Sequence, residues 1–437
     1  MNSTLKSMLI AAAAITSVSA FAQDKATLDL LVKKGLITAE ERAKTLDEAA
    51  KARTASGLNK IFVKEDATKR LTFSGRIQTQ YESISGESYA TSTSAATQST
   101  DINTAFMRRL YLGFKADMGE GISGEIVYNF ADDTLDKAIF TAETGYGNFI
   151  LGYQKVQWGL EENTSSSKLL TVERSASNRF WSESASSSNG RLGFGARHTG
   201  LHYANKYAVD AAQTLEYGAS VANSIQGETG LKASSGNPTA NNNDFGIFAN
   251  VVYTYKVTDT NKHSIGVNYG TQRDSRDASG NPDAGVADAK ISGFNPYIKS
   301  QFDKLIVQAE MISTTNEARG GSTAERKPEG YTLLAAYKFT DQIEGVVRYS
   351  QLDTDRQGAS FGDLYRDAKV FASSANVYNK FDSYYVGVNY YFVDHNAKIM
   401  FGYEQAKATQ LMSALNGTVG TGKADADIFR LQAQVLF

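Results

Sequence analysis

Apolar and polar side chains alternate along most of the chain from residue 71 onward. In Leu71–Glu82, for example, Phe73, Ile77 and Tyr81 alternate with polar residues. Successive side chains of a β-strand point to opposite faces of its sheet, so this period predicts strands with one apolar and one polar face. The final segment, Asp425–Phe437, keeps the same alternation up to its terminal aromatic residue.

Sixteen such segments can be counted up to the last residue, if Arg191–Lys206 is one strand and not two. Short turns and longer connections alternate strictly between them, and the third long connection covers residues 156–190. Short turns on one rim and long loops on the other are typical of bacterial outer-membrane β-barrels. We therefore predict an all-β transmembrane barrel of sixteen antiparallel strands, formed by residues 67–437.

The stretch that follows the predicted strand Gly147–Lys155 departs from the alternating pattern. About thirty residues rich in Ser, Glu, Lys and Arg replace it. Loops of this length without their own regular structure are uncommon in compact domains and often carry function. We predict that this third long loop folds inward and forms the constriction of the barrel.

The first residues have the composition of a secretory signal peptide. Lys6 gives a positive start, Met8–Val18 is a short apolar run, and small residues stand at positions 20 and 22. An apolar run of this length is too short to span a bilayer as a helix. We predict that residues 1–22 are removed on export and that the mature chain starts at Gln23.

Residues 23–66 precede the predicted strands and show a helical period instead of the alternation of a strand. Leu28, Leu31 and Val32 recur at helical spacing, and Thr38–Glu41 is a capping-box pattern that opens a second helix. A short periplasmic helical segment explains this pattern, and a solvated linker is the alternative.

Composition narrows the chemistry that the chain can perform. It has no cysteine and 4 histidines, which excludes thiol catalysis, disulfides and Cys-ligated metals. His198 and His202 share a strand face, but no third metal ligand accompanies them in the sequence. The formal net charge of -2 does not favour a polyanion partner. We therefore expect a protein that is not an enzyme, with no cofactor, metal or nucleic acid.

Several basic residues fall on the polar faces of the predicted strands and are expected to face the lumen. Rings of Arg and Lys line anion-selective pores, and the guanidinium group matches the geometry of phosphate. The alternative is that they are ordinary wall charges, balanced by Glu82, Glu125 and Glu344. The basic residues are Arg76, Arg109, Lys115, Arg348 and Arg430.

Four stretches of the chain resemble the phosphate-selective porin O and P family of Gram-negative bacteria. The resemblance extends over most of residues 70–437. Its motifs are Leu71–Gln78 (LTFSGRIQ), Ala105–Leu112 (AFMRRLYL), the loop segment Trp158–Ser175 and the closing Arg430–Phe437.

The resemblance implies an outer-membrane barrel, usually trimeric, whose third long loop folds inward. Lys168 and Arg174 match the Lys and Arg that this loop carries at the constriction in phosphate-specific members. Arg76, Arg108 and Arg109 match wall arginines of the family, although strict alternation would turn Arg108 outward. The implied partners are small anions, outer-membrane lipid and lipopolysaccharide, a homotrimer and the barrel assembly machinery.

The fifth long loop departs from the family pattern. Phosphate-specific members are rich in Arg at this loop, whereas here Arg273 and Arg276 are interleaved with aspartates. This departure favours a general anion preference over phosphate specificity.

A passive outer-membrane porin for small hydrophilic solutes, with a preference for anions such as phosphate, explains these features best. A non-selective general porin is the first alternative. A plugged barrel that acts as an enzyme or an anchor is the second, and a soluble secreted β-protein is the third, because its strands would also alternate.

Overall fold

The computed structural model describes residues 32–34, 38–40, 70–89, 98–182, 190–223, 245–274, 289–317, 324–366, 371, 377–415 and 417–437. The predicted signal peptide and most of residues 23–66 lie outside the described residues; within them, Val32, Lys33, Ala39 and Glu40 are helical. The chain divides into two compact units, Met1–Leu71 and Thr72–Phe437, and the second contains the barrel.

Sixteen antiparallel strands pair in chain order into a closed ring, as the sequence predicts. Each strand pairs with the next, and the last strand pairs with the first to close the ring. A further strand of two residues, β14, lies in a long loop, so that β13 pairs with β15 in the ring. The strands are β1 (Arg70–Tyr89), β2 (Gln98–Gly119), β3 (Ile122–Asn129), β4 (Thr134–Thr144), β5 (Gly147–Lys155), β6 (Arg197–Ala208), β7 (Gln213–Asn223), β8 (Phe245–Lys256), β9 (Asn261–Asp274), β10 (Ala289–Phe302), β11 (Leu305–Asn316), β12 (Glu329–Lys338), β13 (Ile343–Asp353), β14 (Ala359–Ser360), β15 (Val377–Val393), β16 (Ala397–Met412) and β17 (Lys423–Leu436).

Three short helices lie in the long loops of the barrel unit, among the residues that the structure describes. They are α1 (Leu160–Asn163), α2 (Ala176–Ser182) and α3 (Phe361–Leu364). None of the described helices has the length and apolar character needed to cross a membrane.

The sixth strand starts later than the sequence pattern predicts. It begins at Arg197, whereas alternation suggested Arg191. Residues 191–196 bond instead to α2 of the preceding loop, where the Leu192 amide donates to the Phe180 carbonyl over 2.8 Å. Leu192 and Phe194 are buried in an apolar cluster, and this packing gives a loop segment the alternation of a strand.

The two faces of the barrel wall differ in polarity. Large apolar side chains such as Ile77, Leu431 and Val435 are exposed on the outer face, while Gln78 and Gln432 are buried on the inner face. This arrangement is the reverse of a soluble protein and matches a wall that contacts lipid outside and a polar lumen inside.

The polarity of both faces changes part of the way along the strands on one side of the ring. On β17 the outer face changes from Phe429 to Asp427, and the inner face from Arg430 to Ile428. Neighbouring strands change in the same way, with Asp382, Lys407 and Glu87 on the outer face and Phe381, Ala406, Ala408, Ala424, Ala426 and Ile84 buried on the inner face.

An apolar cluster fills the long-loop half of the barrel against this inner face. Phe180 and Trp181 of α2 and Phe361 of α3 are completely buried in it, together with wall residues such as Ala424 and Ile428. Beside β17 and its neighbouring strands, the long-loop half of the lumen is therefore largely occupied. Water-filled space is expected beside the strands on the other side of the ring.

Candidate functional site

The loop that joins β5 to β6, residues 156–196, is here called loop L3. Its first half and α2 contact the inner face of strands on the opposite side of the ring. The Leu160 amide donates to Glu310 of β11 over 2.7 Å, and the Trp181 indole donates to Thr314 of the same strand over 3.0 Å. These contacts agree with an inward course of the loop.

The middle of L3 is held by wall side chains that donate to its backbone carbonyls. Because a buried carbonyl needs a hydrogen-bond partner, these contacts fix the course of the chain. The pairs are Gln78 with Ser166 (3.3 Å), Gln434 with Ser167 (3.1 Å), Lys398 with Leu169 (2.8 Å) and Asn389 with Leu170 (2.9 Å).

Arg348 of β13 connects two separate parts of the first half of L3 to the wall. Its guanidinium is fully buried and pairs with Glu404 of β16 over 2.9 Å and with Glu161 of α1 over 3.4 Å. It also donates to the Thr171 hydroxyl over 3.2 Å and to the Glu173 carbonyl over 2.7 Å. A buried charge is tolerated only when it is paired and hydrogen-bonded, as here.

Two adjacent cavities lie between L3 and the wall formed by β1–β6. The upper cavity, about 710 Å³, reaches the turn between β3 and β4 on the long-loop side. The lower cavity, about 550 Å³, reaches Gly75 and Phe437 on the short-turn side. The residues that line both cavities are Tyr111, Asp136, Lys155, Ser166 and Arg197.

Basic side chains predominate in the lining of the upper cavity. Eight basic and four acidic side chains line it, and two further carboxylates, Glu173 and Asp363, pair with four of the basic side chains, which leaves a formal excess of two positive charges. A cleft with an excess of one sign raises the local concentration of the opposite ion. The basic residues are Arg108, Arg109, Lys155, Arg174, Arg179, Arg191, Arg197 and Arg366, and the acidic residues are Asp132, Asp133, Asp136 and Glu162.

Arg76 of β1 and Arg109 of β2 each line one of these two cavities. Arg109 donates to the Gln78 amide oxygen over 2.8 Å and lines the upper cavity. Arg76 lines the lower cavity, bonds to the hydroxyls of Ser165 and Ser166 and lies 4.9 Å from the centre of the Tyr111 ring. Neither arginine forms an ion pair with a carboxylate among the described residues, although the charge of Asp136 acts on Arg76 and that of Glu173 acts on Arg109.

Arg108 also enters the lumen, because the alternation of β2 shifts by one residue between Arg108 and Arg109. Met107 is exposed on the outer face, and both arginines line the upper cavity. The guanidinium of Arg108 makes two hydrogen bonds to the Glu173 carboxylate of L3, 2.5 and 3.2 Å long.

The two predicted residues of L3 lie in different surroundings. Arg174 is buried, pairs with Glu162 over 3.3 Å and donates to the carbonyls of Glu161, Glu162 and Thr164. It therefore stabilises the turn of L3 although it also borders the upper cavity. Lys168 is exposed at the middle of the loop.

Lys168 lies near further basic groups toward the short-turn rim. Its charge interacts with that of Lys299 on β10 and disfavours protonation of His395 in the turn between β15 and β16. Burial, together with the charges of Lys398, Lys338 and Lys168, lowers the pKa of His395 to about 4. His395 is therefore neutral at neutral pH, and the local positive charge belongs to the lysines.

The two arginines predicted near the fifth long loop are not brought into the lumen site by any described contact. Arg273 lies near the end of β9, opposite Lys290 of β10, and lines neither cavity. Arg276 lies outside the described residues.

Two buried carboxylates of L3 remain charged because cationic side chains surround them. Burial alone would raise the pKa of Glu173, but Arg108 and Arg366 outweigh it and hold that pKa well below its usual range. Burial would likewise raise the pKa of Glu162, and the charges of Arg174 and Lys155 lower it instead.

Sequence reasoning missed Glu173 and Arg366 as members of this site. Arg366, in the loop between β13 and β15, pairs with Glu173 over 2.7 Å and lines the upper cavity. Glu173 belongs to the loop motif that carries the family resemblance, so a signal for it existed. Arg366 has no such motif, and only the folded loop brings it to the lumen.

A closed sixteen-strand barrel with an apolar outer face, a polar inner face and basic internal cavities defines an outer-membrane channel. The chain belongs to the phosphate-selective porin O and P family, whose sequence pattern matches residues 74–437. No curated protein matches the chain by sequence.

Solved porin structures share the fold. An anion-selective porin from Comamonas acidovorans is 11% identical, with a TM-score of 0.52 over 84% of this chain and 100% of that chain. The channel DcaP of Acinetobacter baumannii is 14% identical, with a TM-score of 0.50 over 86% of this chain and 99% of that one. In-vitro folded OmpT of Vibrio cholerae is 12% identical, with a TM-score of 0.50 over 86% and 99%. At these identities the likeness concerns the fold alone.

Proposed function

We propose that the protein is a passive channel that prefers small anions such as phosphate over cations. The observation that carries this proposal is the basic excess of the upper cavity together with two arginines, Arg76 and Arg109, that have no carboxylate partner among the described residues. An excess of positive charge on the wall of a narrow lumen attracts anions and repels cations.

Reversal potentials across a planar bilayer with a KCl gradient test this proposal. The wild-type channel is expected to show a chloride preference, and Arg109→Gln and Arg76→Gln are each expected to reduce it. Lys256→Gln is the matched control, because Lys256 lies at the short-turn rim and pairs with Asp259. A cation preference of the wild-type channel, or equal effects of all three substitutions, would contradict the proposal.

General anion preference fits the lining better than strict phosphate specificity. Four acidic side chains border the same cavity, and Asp136 pairs with Arg197 over 2.6 Å. Phosphate would then reduce the chloride current only at high concentration.

Two further expectations concern export and assembly. Export is expected to remove residues 1–22, which N-terminal sequencing of the membrane protein checks.

A homotrimer is expected because β3 and β5 have only 8 and 9 residues, at or below the roughly 9–11 that span a bilayer. A neighbouring protomer would shield this low part of the wall, and cross-linking in intact outer membranes measures the assembly. Outer-membrane lipid, lipopolysaccharide and the assembly machinery remain expected partners.

A further inference from the structure

The carboxylate of Glu173 lies among guanidinium groups that come from three separate elements. Arg108 of β2 binds it with two hydrogen bonds, and Arg366 of the loop between β13 and β15 pairs with it over 2.7 Å. Arg109 of β2 and Arg179 of α2 are near enough for their charges to interact with it.

These contacts have the geometry with which arginines bind a free oxyanion. Carboxylate and phosphate both present two oxygens to a guanidinium, and such paired, charge-assisted bonds are among the strongest hydrogen bonds in proteins. All four arginines line the upper cavity, whereas Glu173 does not, and its side chain is only 3% exposed. The guanidinium groups therefore lie between the carboxylate and the space through which solutes would pass.

We propose that Glu173 is a built-in substitute for a permeating oxyanion, whose carboxylate permanently occupies the strongest anion-binding position of the pore. The proposal rests on the anion-channel function proposed above and adds a determinant of its specificity. Anions would be attracted into the upper cavity by its excess charge, but would pass without being held.

The backbone of Glu173 is fixed in a way that suits this role. Its carbonyl accepts hydrogen bonds from Arg348 over 2.7 Å and from the Thr171 hydroxyl over 2.8 Å. A tethered and pre-positioned group competes at an effective concentration of millimolar or more without the entropy cost that a free ligand bears. External phosphate would have to displace this carboxylate to bind, so weak phosphate binding is expected in the wild-type channel.

Block of the chloride current by inorganic phosphate tests the proposal. Glu173→Gln keeps the side-chain size and removes the charge, leaving the guanidinium groups able to bind phosphate from the cavity. We expect the half-blocking phosphate concentration to fall by about tenfold or more, as one additional charge-assisted contact would produce.

Glu162→Gln is the matched control for this experiment. Glu162 is an equally buried carboxylate of the same loop and is paired with Lys155 and Arg174. Its substitution changes the net charge of the lumen by the same amount, so it should shift the reversal potential without producing phosphate block. Equal block in both variants would show that only net charge matters and would overturn the proposal. So would an unchanged half-blocking concentration in a Glu173→Gln channel of normal conductance.

A second variant keeps the test decisive if Glu173→Gln fails to assemble. Glu173→Asp retains the charge but withdraws the carboxylate by one methylene, and should lower the half-blocking concentration by about threefold. An unchanged value in this variant would refute the proposal. The reversal potential of the wild-type channel in KCl decides separately whether the anion-channel function holds.

Discussion

The arginines of the lumen form two groups according to what their guanidinium groups bind. Arg174 and Arg348 bind backbone carbonyls and carboxylates, and thereby hold L3 in its folded course. Arg76 and Arg109 bind only neutral partners among the described residues. The sequence places a basic residue on a polar face in most of these cases, but the partner that decides its role comes from a distant segment.

Arg174→Gln is expected to weaken the folded state more than it changes ion preference. The substitution removes a guanidinium that donates to three carbonyls and leaves Glu162 with one cation fewer. Removing one partner of a buried ion pair costs about 3–5 kcal/mol. Urea unfolding in detergent would show this loss, and single-channel records would show added current noise.

Arg109→Gln provides the comparison for that prediction. It removes one hydrogen bond to a neutral side chain, which corresponds to about 1 kcal/mol. The prediction fails if the Arg174→Gln variant is as stable as the wild-type protein and changes ion selectivity more than Arg109→Gln does. Arg174 would then act on permeating ions and not on the fold of the loop.

At the scale of single elements, the sequence predicts the number and order of the strands but not their local irregularities. Alternation locates all sixteen strands because each has one lipid-facing and one lumen-facing side. It fails at residues 191–196, where packing of Leu192 and Phe194 in the internal cluster produces the same alternation in a loop. It also misses the shift of phase that turns Arg108 inward, since such a shift depends on the pairing partners and not on residue type.

The extent of several strands was also underestimated, for a related reason. Alternation predicts strands over residues 71–82, 105–117, 381–393 and 396–407, and the corresponding strands β1, β2, β15 and β16 extend beyond these bounds toward the long-loop rim. The outer face there is polar and the inner face apolar, so the pattern expected of a lipid-exposed strand ends before the strand does.

The contact between β1 and the chain terminus gives a testable prediction about the barrel seam. Gly75 and Phe437 exchange backbone hydrogen bonds of 2.7 and 3.1 Å, and the Phe437 ring covers the glycine. A Cβ atom at Gly75 would lie 2.2 Å from the ring. Gly75→Ala is therefore expected to displace the ring and destabilise the barrel by about 1–3 kcal/mol.

Heat-modified migration on SDS gels measures the effect on the folded barrel. Gly145→Ala is the matched control, because no heavy atom beyond its chain neighbours lies within 4 Å of an added Cβ atom there. Equal melting temperatures of the two variants would show that ring docking at the seam contributes little.

At the scale of the whole molecule, the change of polarity along the strands defines a membrane boundary on one side of the ring. Below it the wall has a lipid-facing exterior, and above it the wall resembles a soluble sheet packed on the apolar cluster. Tyr81, Tyr349, Tyr384 and Tyr403 lie on the outer face near this boundary, as expected for an aromatic girdle.

Lysine substitutions on either side of this boundary test its position. Leu431→Lys places a charge in the apolar outer belt and should cost about 2–4 kcal/mol, whereas Ser85→Lys lies above the boundary and should cost about 0–1 kcal/mol. Urea unfolding of the protein in liposomes measures both. Similar losses for the two variants would mean that the upper part of the wall also lies in hydrocarbon.

The glutamine pair at the seam has a consequence for the order in which the protein assembles. Gln78 of the first strand donates to Gln434 of the last over 2.6 Å, and each also donates to a carbonyl of L3. Closing the ring and seating the loop therefore complete the same set of bonds. The last strand of the ring to be synthesised is therefore also the one that locks the loop, with its buried Trp158 and Trp181, into its final course.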